Sequence, residues 1–517
     1  MEYDCIIRGG QLVDGSGTRP PFAADLGISG DRITAIGDLS TSAAAVSVDA
    51  TGRIVSPGFI DVHVHSELSL LGGRDQMATI HEGITTHLMA PDGFSWAGLS
   101  PQRAREFWEY ARFAYGDLDP ALNWPLIDDY MGLFPGNIPA NVCPQVPHCA
   151  LRLAVMGWEA QTPDAVQLAA LESLTREWME AGAVALNLGL DYQPSAHADF
   201  AELVALCKVA ASYGGIYAAH IRYCDYGRAR AWDEIIELAG AAEIPVHVSH
   251  ERVDAESLEK LDQVDRDGVD LSFESYLYPA GMTHGVMMLP MKYQAGSLDE
   301  VLGRLADPAV RAESLPLMSE KLGVRKGTQI VSYTGSGRYL GMTLAEAAAT
   351  VGKECEEFLY DLIIEEEGIE MLIFPWQTPV EDDNDAILEA TARNPRMMVA
   401  SDGVYEVPHP HPRGVGCFAR FLRRYVREQP VLSIEEAVYK VSGFPAKRFS
   451  LKDRGVIAEG LAADIVVFDL GTVADRATWS EPRQLAVGVD DVIVNGTFVK
   501  QGGIITGALP GQVVRRS

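Results

Sequence analysis

Residues 57–65 read Pro57-Gly58-Phe59-Ile60-Asp61-Val62-His63-Val64-His65. The Pro-Gly pair ends whatever precedes it, and a short apolar run follows that carries two histidines two positions apart. Side chains two apart on a strand project from one face, so His63 and His65 can reach the same metal ion. Downstream, apolar strands alternate with helical patterns. Phe59 to Val64, Thr85 to Ala90, Asn141 to Val146, Ala183 to Leu190, Gly215 to Ile221, Pro245 to Ser249, Val269 to Tyr276 and Met397 to Ser401 read as strands. Thr162 to Ala181, Ala201 to Ser212 and Arg230 to Ala242 read as helices between them. Eight strands with helical crossovers predict an α/β fold, a (β/α)8 TIM barrel. A doubly wound open sheet is disfavoured, because no Gly-rich phosphate loop follows the first strand.

The two ends of the chain have a different texture. Cys5 to Arg8, Asp25 to Ser29 and Arg32 to Ile36 are short strands, the last two split by Gly30-Asp31. Asp464 to Leu470 and Val489 to Val494 are β-branched runs, and Asn495-Gly496 is a hairpin turn before Thr497-Phe498-Val499. Residues 1–57 and 455–517 therefore predict one small β-sandwich built from both termini, around a barrel spanning 58–454. The stretch from Tyr276 to Met397 is far longer than a normal strand-to-strand connection and holds its own helical patterns, Leu344 to Thr350 and Cys355 to Glu367. It predicts an inserted subdomain at about 282–395, between strands seven and eight.

The chain has 517 residues, enough for roughly three units of about 150 residues or one large barrel with accessories. Its net charge of −30 argues against nucleic-acid binding, which needs a Lys and Arg surplus, and against anionic membrane surfaces. No uncharged apolar run reaches the roughly 18 residues of a membrane span. The N-terminus, Met-Glu-Tyr-Asp-Cys, lacks a basic region followed by an apolar one. The seven cysteines are scattered and form no CxxC pair. These features predict a cytoplasmic protein acting on a small molecule, and leave self-association into a homo-oligomer open.

Placement turns the histidines into chemistry. His63 and His65 close the first predicted strand, His220 the fifth and His250 the sixth, and Asp402 the eighth. Active sites of such barrels lie at the C-terminal mouth, so these residues converge there. Four imidazoles and a carboxylate make a hydrolytic divalent-metal site, with zinc the leading ion and one or two ions accommodated. His81, His87, His197, His284, His409 and His411 read as buried or loop histidines without that role, and His148 as a residue near the pocket.

These stretches carry a resemblance. PGFIDVHVH (57–65), EGITTH (82–87), GLDYQP (189–194), AAHIR (218–222), VSHER (248–252), YLYPAGMT (276–283), SDG (401–403), HPRGVG (411–416), RGVIAEGLAADIVVFD (454–469) and VNGTFV (494–499) run nearly end to end. They resemble the amidohydrolase superfamily, and within it the N-acyl-D-amino-acid deacylases. The resemblance implies a tight metal position at His220 and His250 with a cysteine after strand two, and a weaker one at His63, His65 and Asp402. This sequence departs at the cysteine: Asp92 stands there, a carboxylate able to bridge two ions, within an ordinary turn sequence, Ala90-Pro91-Asp92-Gly93.

The resemblance further implies hydrolysis of the amide bond of an N-acyl-D-amino acid. A divalent ion lowers the pKa of its bound water to about 7, so that a hydroxide is available to attack the amide carbonyl. Asp402 is the predicted general base, which then returns the proton to the leaving nitrogen. A substrate carboxylate calls for fixed donors, and Arg252, Tyr278 and Arg413 are the candidates. Trp96, Trp124 and Trp376 are candidates to wall an acyl pocket. A cyclic amide, or a carboxylate-free amide or ester, is the alternative substrate. The cyclic-amide relatives use a carboxylated lysine after strand four, and 183–189 holds none. A non-catalytic scaffold would have lost ligands, whereas all five are present.

Overall fold

The computed structural model describes residues 2–73, 77–116, 123–323, 326–375 and 386–516. Phe59–Asp61 (β1), Ile84–Leu88 (β2), Asn141–Cys143 (β3), Ala185–Gly189 (β4), Ile216–His220 (β5), Val246–Val248 (β6), Leu271–Ser275 (β7) and Met397–Val399 (β8) are short strands, each buried throughout. Strands covered on both faces read as unbroken apolar runs, which is why these stretches were legible. β1 pairs with β2 and β2 with β3, all parallel. Val146–Pro147, just past β3, pairs with β4, and the parallel ladder continues through β5, β6, β7 and β8. Val64–His65 and Gly403–Val404 then pair in parallel beyond the ends of β1 and β8. The architecture is mixed α/β.

Helices connect these strands, at Ala165–Glu180, Phe200–Ser212 and Arg228–Ala242 among others. Their starts follow from local chemistry. The Asp164 carboxylate accepts from the amides of Val166 and Gln167, and Asp199 from that of Glu202, filling donors that the first turn leaves unpaired.

Strands from both ends of the chain share one seven-stranded sheet, in which Ile465–Phe468 pairs antiparallel with Ile54–Pro57 and with Val489–Val494. A four-stranded sheet holds Tyr3–Arg8, Asp25–Ser29, Arg32–Gly37 and Ala44–Asp49. Ile7, Leu26, Ile28, Val55, Ile465 and Ile493 pack in one core common to the two sheets. Within the long stretch after β7, Ala280–His284 and Ile330–Tyr333 flank Met371–Pro375 in an antiparallel sheet. Among the described residues no helix is long and apolar enough to cross a membrane.

Candidate metal centre

The candidate metal-ligating residues leave from the C-terminal ends of the parallel strands. β1 does not run straight through to His65. The strand breaks at 62–63, and Asp61 holds the break: one carboxylate oxygen accepts from the amides of His63 (3.3 Å) and Ser401 (3.0 Å). The His63 carbonyl accepts from the Asp402 amide at 2.8 Å, which ties the ends of β1 and β8 together. The two imidazoles still converge, with ring centres 5.7 Å apart.

His63, His65 and Asp92 form one buried triad, and Asp92, His220 and His250 a second, each with ligand atoms within 4.8 Å of one another. Asp92 is common to both. Its Oδ1 lies 3.8 Å from His63 Nε2 and its Oδ2 3.6 Å from His65 Nε2. Asp402 Oδ1 lies 3.7 Å from His63 Nε2 and 3.5 Å from His65 Nε2. His220 Nδ1 and His250 Nε2 face each other at 2.9 Å. His63 Nε2 and Asp92 Oδ1 are buried without a hydrogen-bond partner. Buried polar atoms are ordinarily paired, so unpaired imidazole and carboxylate atoms aimed at common points fit a divalent ion such as zinc.

Three of these residues adopt left-handed backbone: Asp92 (φ 56°), His250 (φ 40°) and Asp402 (φ 46°). Asp and His tolerate this region better than most residues, and the surroundings lock it in. Glu67 accepts from the Ala90 amide and from the Tyr130 hydroxyl, and the Cys149 thiol sits 3.5 Å from the Asp92 carbonyl.

Several orienting residues were not among the sequence candidates. Glu274, on β7, takes His63 Nδ1 at 3.1 Å and the His250 amide at 2.9 Å on one oxygen, while its other lies 2.5 Å from His247 Nε2. Burial opposes charge on Glu274, but His247 and His63 hold its carboxyl well below the usual range. An ionised carboxylate only accepts, so His63 presents Nε2 toward Asp92 and Asp402. Asp191 holds His220 Nε2 at 3.0 Å in the same manner. Acidic residues inside apolar runs were the available signal. Burial also opposes charge on His63, yet Asp92, Glu274 and Asp402 outweigh it and push its pKa up to about 10. Asp402 is held well below the carboxylate range, first by Arg413 against the cost of burial, then by His65 and His63.

A cavity of about 250 Å³ opens onto His65, Asp92, His220, His250, Asp402 and Arg413. Arg413 is buried, its Nη2 is 2.7 Å from Asp402 Oδ2, and its guanidinium stacks 4.3 Å from the Tyr276 ring centre. Its side chain also donates to the Tyr276 hydroxyl. The other two carboxylate candidates lie outside the lining. Arg252 is one-third exposed beside Asp254, and Tyr278 packs against His411 and Trp479. Trp96 packs on Tyr115 and Trp124 on Tyr130, away from the cavity, and Trp376 lies outside the described residues. His87 is satisfied by Ser66 and Thr79, and His148 by Ser195 and Glu202.

A model of the amidohydrolase family matches residues 47–500. The chain belongs to that family. D-aminoacylase of Alcaligenes xylosoxydans xylosoxydans is 34% identical over 100% of this chain and 98% of its own length. N-acyl-D-glutamate deacylase of the same organism is also 34% identical, over 100% and 97%. The crystal structure of N-acyl-D-glutamate deacylase from Bordetella bronchiseptica, complexed with zinc and a phosphonate mimic of the tetrahedral intermediate, has a TM-score of 0.83 to this chain. It is 30% identical, and the match covers 100% of both chains. Over its full length this amidohydrolase is thus similar to a deacylase crystallised with zinc.

Proposed function

We propose that this amidohydrolase cleaves the amide bond of N-acyl-D-amino acids, releasing a carboxylate and a free D-amino acid. Arg413 carries the reading. A buried guanidinium that lines the cavity beside Asp402 is a receptor for a substrate carboxylate. His63, His65, Asp92, His220, His250 and Asp402 would hold one or two divalent ions, which when bound supply an activated water and polarise the amide carbonyl. Asp402 is kept ionised and borders the cavity, so it takes the proton of the attacking water and returns it to the leaving nitrogen. Arg413 fixes the substrate carboxylate and, through Asp402 Oδ2, the orientation of that base. Glu274 and Asp191 fix the rings of His63 and His220. The D configuration is taken from the relatives.

The same proposal reads the parallel ladders as one closed (β/α)8 barrel over 58–454, with an insertion at about 282–395. Residues 1–57 and 455–517 form a two-sheet sandwich. Seven unbridged cysteines suit the cytoplasm.

The test is release of free amine from matched N-acetyl-D- and N-acetyl-L-amino acids by zinc-loaded enzyme. Turnover confined to the D series is expected, with Asp402→Asn lowering kcat by about 10²- to 10⁴-fold. No turnover by protein shown to hold metal overturns the proposal.

A further inference from the structure

The two curated relatives at 34% identity act on different substrates by name, so overall similarity does not choose a side-chain class. The cavity wall does. Facing the ligands are Phe113, Met282, Met287, Met288, Met371 and Phe374. Met282 and Phe374 come from adjacent antiparallel strands of the sheet after β7, and Met287 and Met288 from the short turn of helix that follows the first of them. Phe113 is fixed by a face-to-face stack on His284, ring centres 4.1 Å apart, and burial keeps that imidazole neutral.

Most of the polar groups among the described lining residues are already committed. Among the described lining residues Arg413 is the one Lys or Arg, and Asp402 takes one edge of it. Asp92, Asp191 and Asp402 add negative charge. The Tyr192 and Thr283 hydroxyls bond each other at 3.3 Å, and the Tyr223 hydroxyl donates to the Ser249 carbonyl at 3.0 Å. A substrate with one carboxylate places it on Arg413. Among the described lining residues a second carboxylate would meet a wall of thioethers and aromatic rings with no further cation, giving up its hydration without a charge in return. Methionine walls are adaptable, so they accept straight, branched and aromatic hydrocarbon groups alike.

We propose, resting on the deacylase reading above, that this site selects N-acyl amino acids with an uncharged apolar side chain over those bearing a second carboxylate. Phe113, Met287, Met288 and Met371 are the residues that set this preference.

The experiment compares N-acetyl-D-leucine and N-acetyl-D-methionine with N-acetyl-D-glutamate and N-acetyl-D-aspartate on zinc-loaded enzyme. kcat/KM is measured, and binding of the same four compounds is followed by calorimetry on Asp402→Asn protein. The apolar pair is expected to exceed the acidic pair at least tenfold in both. Met288→Lys is expected to narrow that ratio at least tenfold by supplying a cation. A wild-type ratio below tenfold, or one favouring the acidic pair, overturns the proposal whatever the variant does. Binding with the expected ranking but no turnover overturns the deacylase reading and leaves the preference standing. Absence of binding by all four overturns both.

Discussion

Glu274→Gln isolates the orienting layer beneath the proposed metal-ligating histidines. The substitution keeps shape and volume and removes one charge. With the amide oxygen in place of Glu274 Oε1, contacts to His63 Nδ1 and the His250 amide persist but become neutral. A hydrogen bond to a charged group contributes about 1.5–3 kcal/mol and a neutral one about 0.5–1.5. Two such bonds therefore lose about 2–3 kcal/mol together. The amide nitrogen then faces His247, whose Nδ1 is 2.8 Å from the Ser272 hydroxyl, so His247 can turn acceptor at Nε2 without a clash. The loss falls on His63, whose Nε2 is less basic and less firmly aimed. Zinc affinity should drop by about 10- to 100-fold, the range for removal of a partner behind a ligating imidazole. The assay is a chelator-competition titration of metal-free protein, with the circular dichroism spectrum confirming the fold. An affinity within twofold of wild type, in folded protein, refutes the argument that Glu274 sets the tautomer and basicity of His63.

Asp92→Ala removes the residue that the two candidate triads share, so zinc retained per chain after gel filtration should fall, and Asp92→Cys should restore part of it; unchanged metal content would show that Asp92 does not ligate. Glu370 is buried, and burial pushes its pKa up to about 8 against the backbone hydrogen bonds it takes from Gly285 and Val286. The folded state thus keeps a proton that the unfolded state loses near pH 4.5, and folding loses stability as pH rises from about 4.5 to 8. The Tm of Glu370→Gln relative to wild type should therefore climb between pH 5 and 8 and level off above; a pH-independent difference would contradict the shift.

Much of this protein was legible in one dimension because its central strands are buried on both faces. A strand such as Ile216–His220 must then be apolar throughout, and a histidine that ends it stands out. His63, His65, His220, His250 and Asp402 stand out in this way as polar residues at the ends of apolar runs, and Asp92 stands in the turn where the family pattern has a cysteine. The chemistry of those side chains, hard and borderline donors for a divalent ion, follows from their identity alone. Other features needed the third dimension. Nothing local marks Glu274 as the acceptor of both His63 and the His250 backbone, because those contacts join β7 to the ends of β1 and β6. Arg252, Tyr278 and Arg413 are all candidates for a carboxylate in the sequence, with Arg413 the third of them, and packing brings only Arg413 to the cavity lining. The methionine and phenylalanine wall is assembled from positions 113, 282–288 and 371–374, which no periodicity connects. Sequence determines which donors exist and which strands end in them. Their partners, their unpaired atoms and the shape of the space between them are set by contacts between distant segments, which only the folded chain brings together.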